Sequence, residues 1–124
     1  MARKIHLELT EDQARVLMTA CEFYARIKMG QFQEISWHCA PKHCPDDPAA
    51  VERAWLELRK LLFPDLHGVG HSYGMGYDKN ADAAFDIYQV VRQHFGDPRG
   101  VFSYNKVPKC WATEDAVQAE DTAD

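Results

Sequence analysis

The densest run of metal-ligating side chains is His38, Cys39, His43 and Cys44, held within His-Cys-Ala-Pro-Lys-His-Cys. Zinc takes four thiolate or imidazole ligands in a tetrahedron at about 2 Å, usually from pairs a few residues apart. Here the cysteines are five apart and the histidines five apart, wider than the common spacer. No second close Cys/His pair follows, although Cys110, His67 or His71 could be brought in from elsewhere. The run reads either as a zinc site or as a Pro-rich loop with incidental thiols, and no other cofactor is expected.

A second concentration lies in residues 65–80, rich in glycine and aromatics. Glycine amides leading into a helix can hold an anion, aided by the helix dipole. However, Gly68-x-Gly70-x-x-x-Gly74 departs from the dinucleotide fingerprint, and no Gly-Lys-Ser/Thr follows, so it is not a phosphate loop of the nucleotide-hydrolase type either. The loop carries His71, Ser72, Tyr73 and Tyr77, side chains that stack on bases and bond hydroxyls. Such loops on a helical scaffold often carry binding function; the plainer alternative is a turn-rich connection.

Arg26 and Arg92 each stand beside an apolar helix face, and Gln89 precedes Arg92 by three residues. A guanidinium so placed can hold a phosphate bidentately or stack on a base. Alternatively it lies on the surface, paired as Glu22 and Arg26 would be at four-residue spacing. Ser36, Ser72 and Ser103 sit in no nucleophile-elbow pattern, and no cysteine has a recognisable catalytic context. Asp82 and Asp86 fall on what reads as a solvated helix face. No enzyme is expected.

The elements that must position these groups are mainly helical. Residues 4–9 alternate, with Ile5, Leu7 and Leu9 on one face, the period of a half-buried strand. Thr10 and Gln13 have capping-box spacing, and the helix they open shows Ala14, Leu17, Cys21, Tyr24 and Ala25 on one face. Gly30 is its stop, and a short helical piece over 31–37 follows. Prolines forbid helix across 38–48. Asp47-Pro48 starts the next helix, with Val51, Ala54, Trp55, Leu58, Leu61 and Leu62 as its buried stripe and Pro64 at its end. Asn80 is placed to cap a third core helix with the face Ala84, Phe85, Tyr88, Val91 and Phe95, closed by Gly96 and Pro98. Residues 101–107 read as a second strand. The expectation is an α+β, mainly α domain over 1–111. It has about three core helices, a small two-stranded antiparallel sheet and a disordered acidic C-terminal tail over 112–124.

The chain of 124 residues carries a formal net charge of −5. Residues 112–124 hold Glu114, Asp115, Glu120, Asp121 and Asp124 without a compensating Lys or Arg, so the rest is formally neutral. Bulk nucleic-acid binding through phosphates normally requires a basic excess and is not expected. Apolar runs are short and charge-interrupted, so no bilayer span is expected. Met1-Ala2-Arg3-Lys4-Ile5-His6 does not read as a signal peptide, and free thiols or a metal are expected in place of a disulfide framework. These features suit a cytoplasmic protein.

Three segments taken together carry a resemblance. Tyr24-Ala25-Arg26-Ile27-Lys28-Met29-Gly30-Gln31-Phe32-Gln33-Glu34-Ile35 is similar to the end of the first helix in small proteins of tailed phages and prophages. His71-Ser72-Tyr73-Gly74 resembles their glycine-aromatic loop, and Asp86-Ile87-Tyr88-Gln89-Val90-Val91-Arg92 resembles the run on their last helix. Among such proteins the chain looks like the anti-Thoeris sponges that sequester cyclic ADP-ribose isomers. The resemblance implies a non-enzymatic, homo-oligomeric anti-defence protein in the cytoplasm of an infected or lysogenic bacterium, with a small cyclic nucleotide as partner. It implies that Arg26 and Arg92 take the phosphates and Tyr73 stacks on the base. Asp86, Gln89 and Gln31 would bond ribose hydroxyls or fix the arginines, with His71 and Ser72 also in contact. His71, where Asn is expected, and the His/Cys loop depart from the pattern. Two rival readings stand beside it: direct inhibition of a host or defence protein, and a small zinc-binding regulatory protein.

Overall fold

The computed structural model describes residues 3–39, 46–96 and 107–111. Four helices account for its regular structure: α1 (Glu11–Lys28), α2 (Gln33–Cys39), α3 (Pro48–Leu62) and α4 (Lys79–His94). None is long and apolar enough to cross a membrane. The described residues group into two compact units, Cys21–Phe85 and the residues on either side of it, with the divisions falling inside α1 and α4.

The expected two-stranded sheet is overturned: the described residues contain no strand. Alternation over 4–9 creates an apolar edge, but a strand exists only where a second backbone takes its amides and carbonyls. Ile5 and Leu7 are 91% and 70% exposed and Leu9 is half-buried, so most of that edge stays in water. Of the second expected strand, 101–106 lie outside the described residues, as does the tail 112–124.

The helix ends follow their local chemistry. Thr10 and Gln13 form the reciprocal capping box, each backbone N–H donating to the other's side-chain oxygen at 3.1 Å. At the other end of α1 the Gly30 N–H donates to Ile27 O and the Gln31 N–H to Arg26 O, with Gly30 at φ 85°. These paired bonds define a Schellman stop, whose left-handed residue is cheapest as glycine. Asp47 caps α3 by accepting from the Ala50 N–H at 3.0 Å, with Pro48 at the first helical position.

The cap of α4 lies two residues earlier than expected. Asp78, not Asn80, accepts from the Asn80 and Ala81 N–H groups, both at 2.9 Å, and also pairs with Lys28 Nζ at 3.2 Å. The Ala81 N–H above all, and then Lys28, hold the Asp78 carboxyl below its ordinary value of 3.8. A carboxyl depressed on folding contributes stability that is complete above its unfolded value and is lost as pH falls through the folded one. Asp78→Asn is therefore expected to reduce stability at neutral pH and to flatten the acid limb below about pH 4, measured by urea unfolding across pH. An unchanged acid limb would show that this carboxylate is not linked to folding.

The core of the Cys21–Phe85 unit brings α1 against the start of α4. Ala25, Met29, Ala81 and Ala84 are buried together, with Cys21, Tyr73 and Phe85 packed around them. The small alanines allow close helix approach, and Trp55 anchors α3 to α2 by donating its indole N–H to Ser36 Oγ at 3.0 Å. The expected α3 stripe is largely wrong. Leu58, Leu61 and Leu62 are 45%, 80% and 57% exposed, whereas Trp55 and the charged Arg59 are buried. The inward face of α3 is thus set by a four-residue Trp/Arg pair, because Arg59 finds hydrogen-bond partners inside that no leucine could use.

Candidate functional site

The stop of α1 builds the first ligand-competent group. A Schellman turn sets the side chains three residues before and two residues after the helix terminus beside each other, commonly as an apolar contact. Here those positions hold Arg26 and Gln31, and Arg26 Nη1 donates to Gln31 Oε1 at 2.9 Å. Arg26 Nε pairs with Glu22 Oε2 at 3.2 Å, and the guanidinium carbon lies 5.7 Å from the Phe85 ring centroid. Both pair members retain access to solvent, at 29% and 21% side-chain exposure. The expected surface pairing with Glu22 and the expected association with Gln31 coexist.

A related group recurs on α4. Arg92 Nη2 donates to Gln89 Oε1 at 2.9 Å and Nη1 to Tyr88 Oη at 2.8 Å, with the guanidinium 4.9 Å from the Tyr88 ring. Three- and four-residue spacing stacks these side chains on one helix face. Gln89 and Tyr88 are 7% and 8% exposed and therefore fixed, while Arg92 is half-buried. Asp86 is 4% exposed, which corrects the solvated face expected for it. In both groups an amide oxygen orients a guanidinium beside an aromatic ring.

The glycine loop is organised from within. Arg59, 2% exposed, donates through Nη1 to Val69 O at 3.3 Å and His71 O at 3.1 Å, and through Nη2 to Gly68 O. The loop thus points carbonyls inward at a buried cation, the opposite polarity to an inward phosphate cradle. Several of its amides are also spent: Tyr73 N–H donates to Met29 O at 2.9 Å, Tyr77 N–H to Gly74 O, and Gly76 N–H to the Asp82 carboxylate. His71 Nδ1 accepts from the His67 N–H at 2.9 Å and remains exposed. Ser72 is half-buried.

Tyr73 and Tyr77 stack in parallel, 3.7 Å between centroids and 3° between planes. Phe63 meets Tyr73 edge-on at 5.7 Å and in turn meets Phe32 at 5.8 Å. One face of Tyr73 is therefore covered by Tyr77. Burial, and then a hydrogen bond with Tyr77, push the Tyr73 hydroxyl above its ordinary value of 10.0. It stays a neutral donor at physiological pH.

The expected His/Cys metal set is placed only in part. Cys39 is an exposed free thiol, and His43 and Cys44 lie outside the described residues. His38 turns to Glu34, its Nε2 lying 3.1 Å from Glu34 Oε1, and its ring meets Phe23 edge-on at 5.2 Å. With Glu22 these form a three-member group whose ligand atoms all lie within 4.8 Å of one another.

Compared with known protein families, curated proteins and solved structures, the chain shows no significant match to any of them. Arg26, Gln31, His71, Ser72 and Tyr73 belong to the Cys21–Phe85 unit, and Asp86, Gln89 and Arg92 to the other. Sequence spacing does not mark Glu22, Glu34 or Arg59 as site residues. Arg59 has a signal in retrospect, an arginine four residues after a buried tryptophan on a helix followed by a glycine loop.

Proposed function

We propose that this protein binds and holds a small cyclic nucleotide without turning it over. The observation that carries the reading is the repeated group in which a glutamine oxygen fixes a guanidinium beside an aromatic ring, at Arg26–Gln31–Phe85 and at Arg92–Gln89–Tyr88. Orienting an arginine before the ligand arrives lowers the ordering cost of binding. A planar guanidinium matches two phosphate oxygens, and amide and hydroxyl groups at its side suit ribose. The formally neutral body of the chain favours a small ligand over a polyanion. The resemblance of residues 24–35 and 86–92 to phage sponge proteins supports a cyclic ADP-ribose isomer as the ligand and anti-defence as the role.

Thermal-shift and calorimetric titration with cyclic ADP-ribose isomers and cyclic di- and trinucleotides tests this. One nucleotide is expected to raise stability by about 3 kcal/mol at a hundredfold excess over Kd. It should be recovered chemically intact after heat denaturation. Arg26→Ala and Arg92→Ala are each expected to weaken binding at least tenfold, about 1.4 kcal/mol, as loss of a charge-assisted contact requires. Absence of a shift with every nucleotide would sink the reading, and conversion of the ligand would replace binding with catalysis.

A further inference from the structure

We propose that Glu22, Glu34 and His38 form a site for one divalent first-row metal ion, of the zinc or manganese class. Glu34 and His38 are four residues apart on α2 and so share a face, while Glu22 reaches them from α1. Two carboxylates and one imidazole, from separate helices, converge with ligand atoms no more than 4.8 Å apart. Atoms bound about 2 Å from one ion lie roughly 3–4 Å from each other, so the observed spread closes by small side-chain rotations.

Charge favours a cation in the group. Glu34 is 2% exposed, and among the described residues its side-chain hydrogen bond is to the His38 ring. Glu22, close by, already shares its carboxylate with Arg26. Arg26 offsets Glu22 from one side, while the buried Glu34 carboxylate has no Lys or Arg paired with it among the described residues, so a cation set between the two carboxylates would offset the remaining repulsion. A divalent ion bound by both carboxylates and a neutral imidazole makes the trio neutral. The His38 side chain is 27% exposed, which supplies an entry path and room for water as further ligand, and Phe23 against its ring restricts the ring's orientation. This site borders the nucleotide reading through the Glu22–Arg26 pair and differs from the His/Cys loop in using carboxylates in place of thiolates.

The test is equilibrium dialysis and calorimetry of the chelator-treated full chain with Zn²⁺ and Mn²⁺, together with the Co²⁺ absorption spectrum. One equivalent per chain is expected, with cobalt d–d bands but no thiolate charge-transfer band. His38→Gln and Glu22→Gln, both at positions open to solvent, should lower affinity at least about tenfold with unchanged circular dichroism. The Cys39→Ser/Cys44→Ser double variant should bind as the parent does. The proposal is overturned by absence of stoichiometric binding or by equal weak binding in parent and His38→Gln. A thiolate band that vanishes with the two cysteines would likewise overturn it and assign the metal to the loop.

Discussion

Arg59→Ala is expected to destabilise the protein by about 3–5 kcal/mol, the scale set by several buried acceptors losing a charged donor at about 1–3 kcal/mol each, together with the lost packing. The guanidinium is 2% exposed and bonded to the carbonyls of Gly68, Val69 and His71. Its removal leaves a cavity beside Trp55 and three acceptors turned inward with no donor. Urea unfolding followed by far-UV circular dichroism measures the loss. Two further variants separate its causes. Arg59→Met restores most of the volume but no donor, and is expected to recover less than half of it. Arg59→Lys keeps the charge without the planar fork and should recover more than Met does. Near-parental stability of Arg59→Met would show that packing alone matters and that the loop carbonyls are satisfied by water. Amide exchange supplies an independent readout: in Arg59→Ala the Tyr73 N–H, bonded to Met29 O, should exchange faster.

Gly30→Ala is the second large effect, expected at about 2–5 kcal/mol. Two costs combine there. A Cβ at φ 85° meets its own backbone, which costs about 1–2 kcal/mol. The same Cβ would collide with Leu66 Cδ1, and overpacking of this kind costs about 1–3 kcal/mol. Gly30→Asn tolerates the left-handed backbone better and still meets Leu66, so it should remain destabilised. Adding Leu66→Ala to Gly30→Ala removes the collision, and a double-mutant cycle should show favourable coupling of about 1 kcal/mol or more. Strict additivity would place the whole cost in the backbone. Because the Gly30 turn sets Gln31 against Arg26, the same variant is also expected to weaken nucleotide binding beyond its effect on stability.

These two positions divide the legible from the illegible. Gly30 could be read as a helix stop from its type and place, since the requirement for a left-handed residue is local. That it also faces Leu66 could not, because Leu66 is distant in the chain and its approach is a matter of packing. Arg59 was hidden altogether. A hydrophobic period marks the leucines of α3 as inward, but a charged residue with three waiting carbonyls outcompetes them for the buried face. The candidate site shows the same division. Gln31 beside Arg26, and Gln89 beside Arg92, lie within reach of local helix geometry. Glu34 and Glu22 around His38 do not, since their meeting depends on how α2 returns against α1.

What residue type and near-neighbour spacing determined were the helices, the Thr10/Gln13 capping box, the Asp47-Pro48 start and the Gly30 and Gly96 stops, all interactions spanning a few residues. What only the tertiary structure decided was the fate of the alternating segment 4–9, the inward face of α3, the burial of Asp86 and the company of His38. Each of these turns on a partner supplied from elsewhere in the chain. A strand requires another backbone, and a buried charge requires donors, acceptors or counter-charge gathered around it. Local periodicity carries no record of whether that partner arrives.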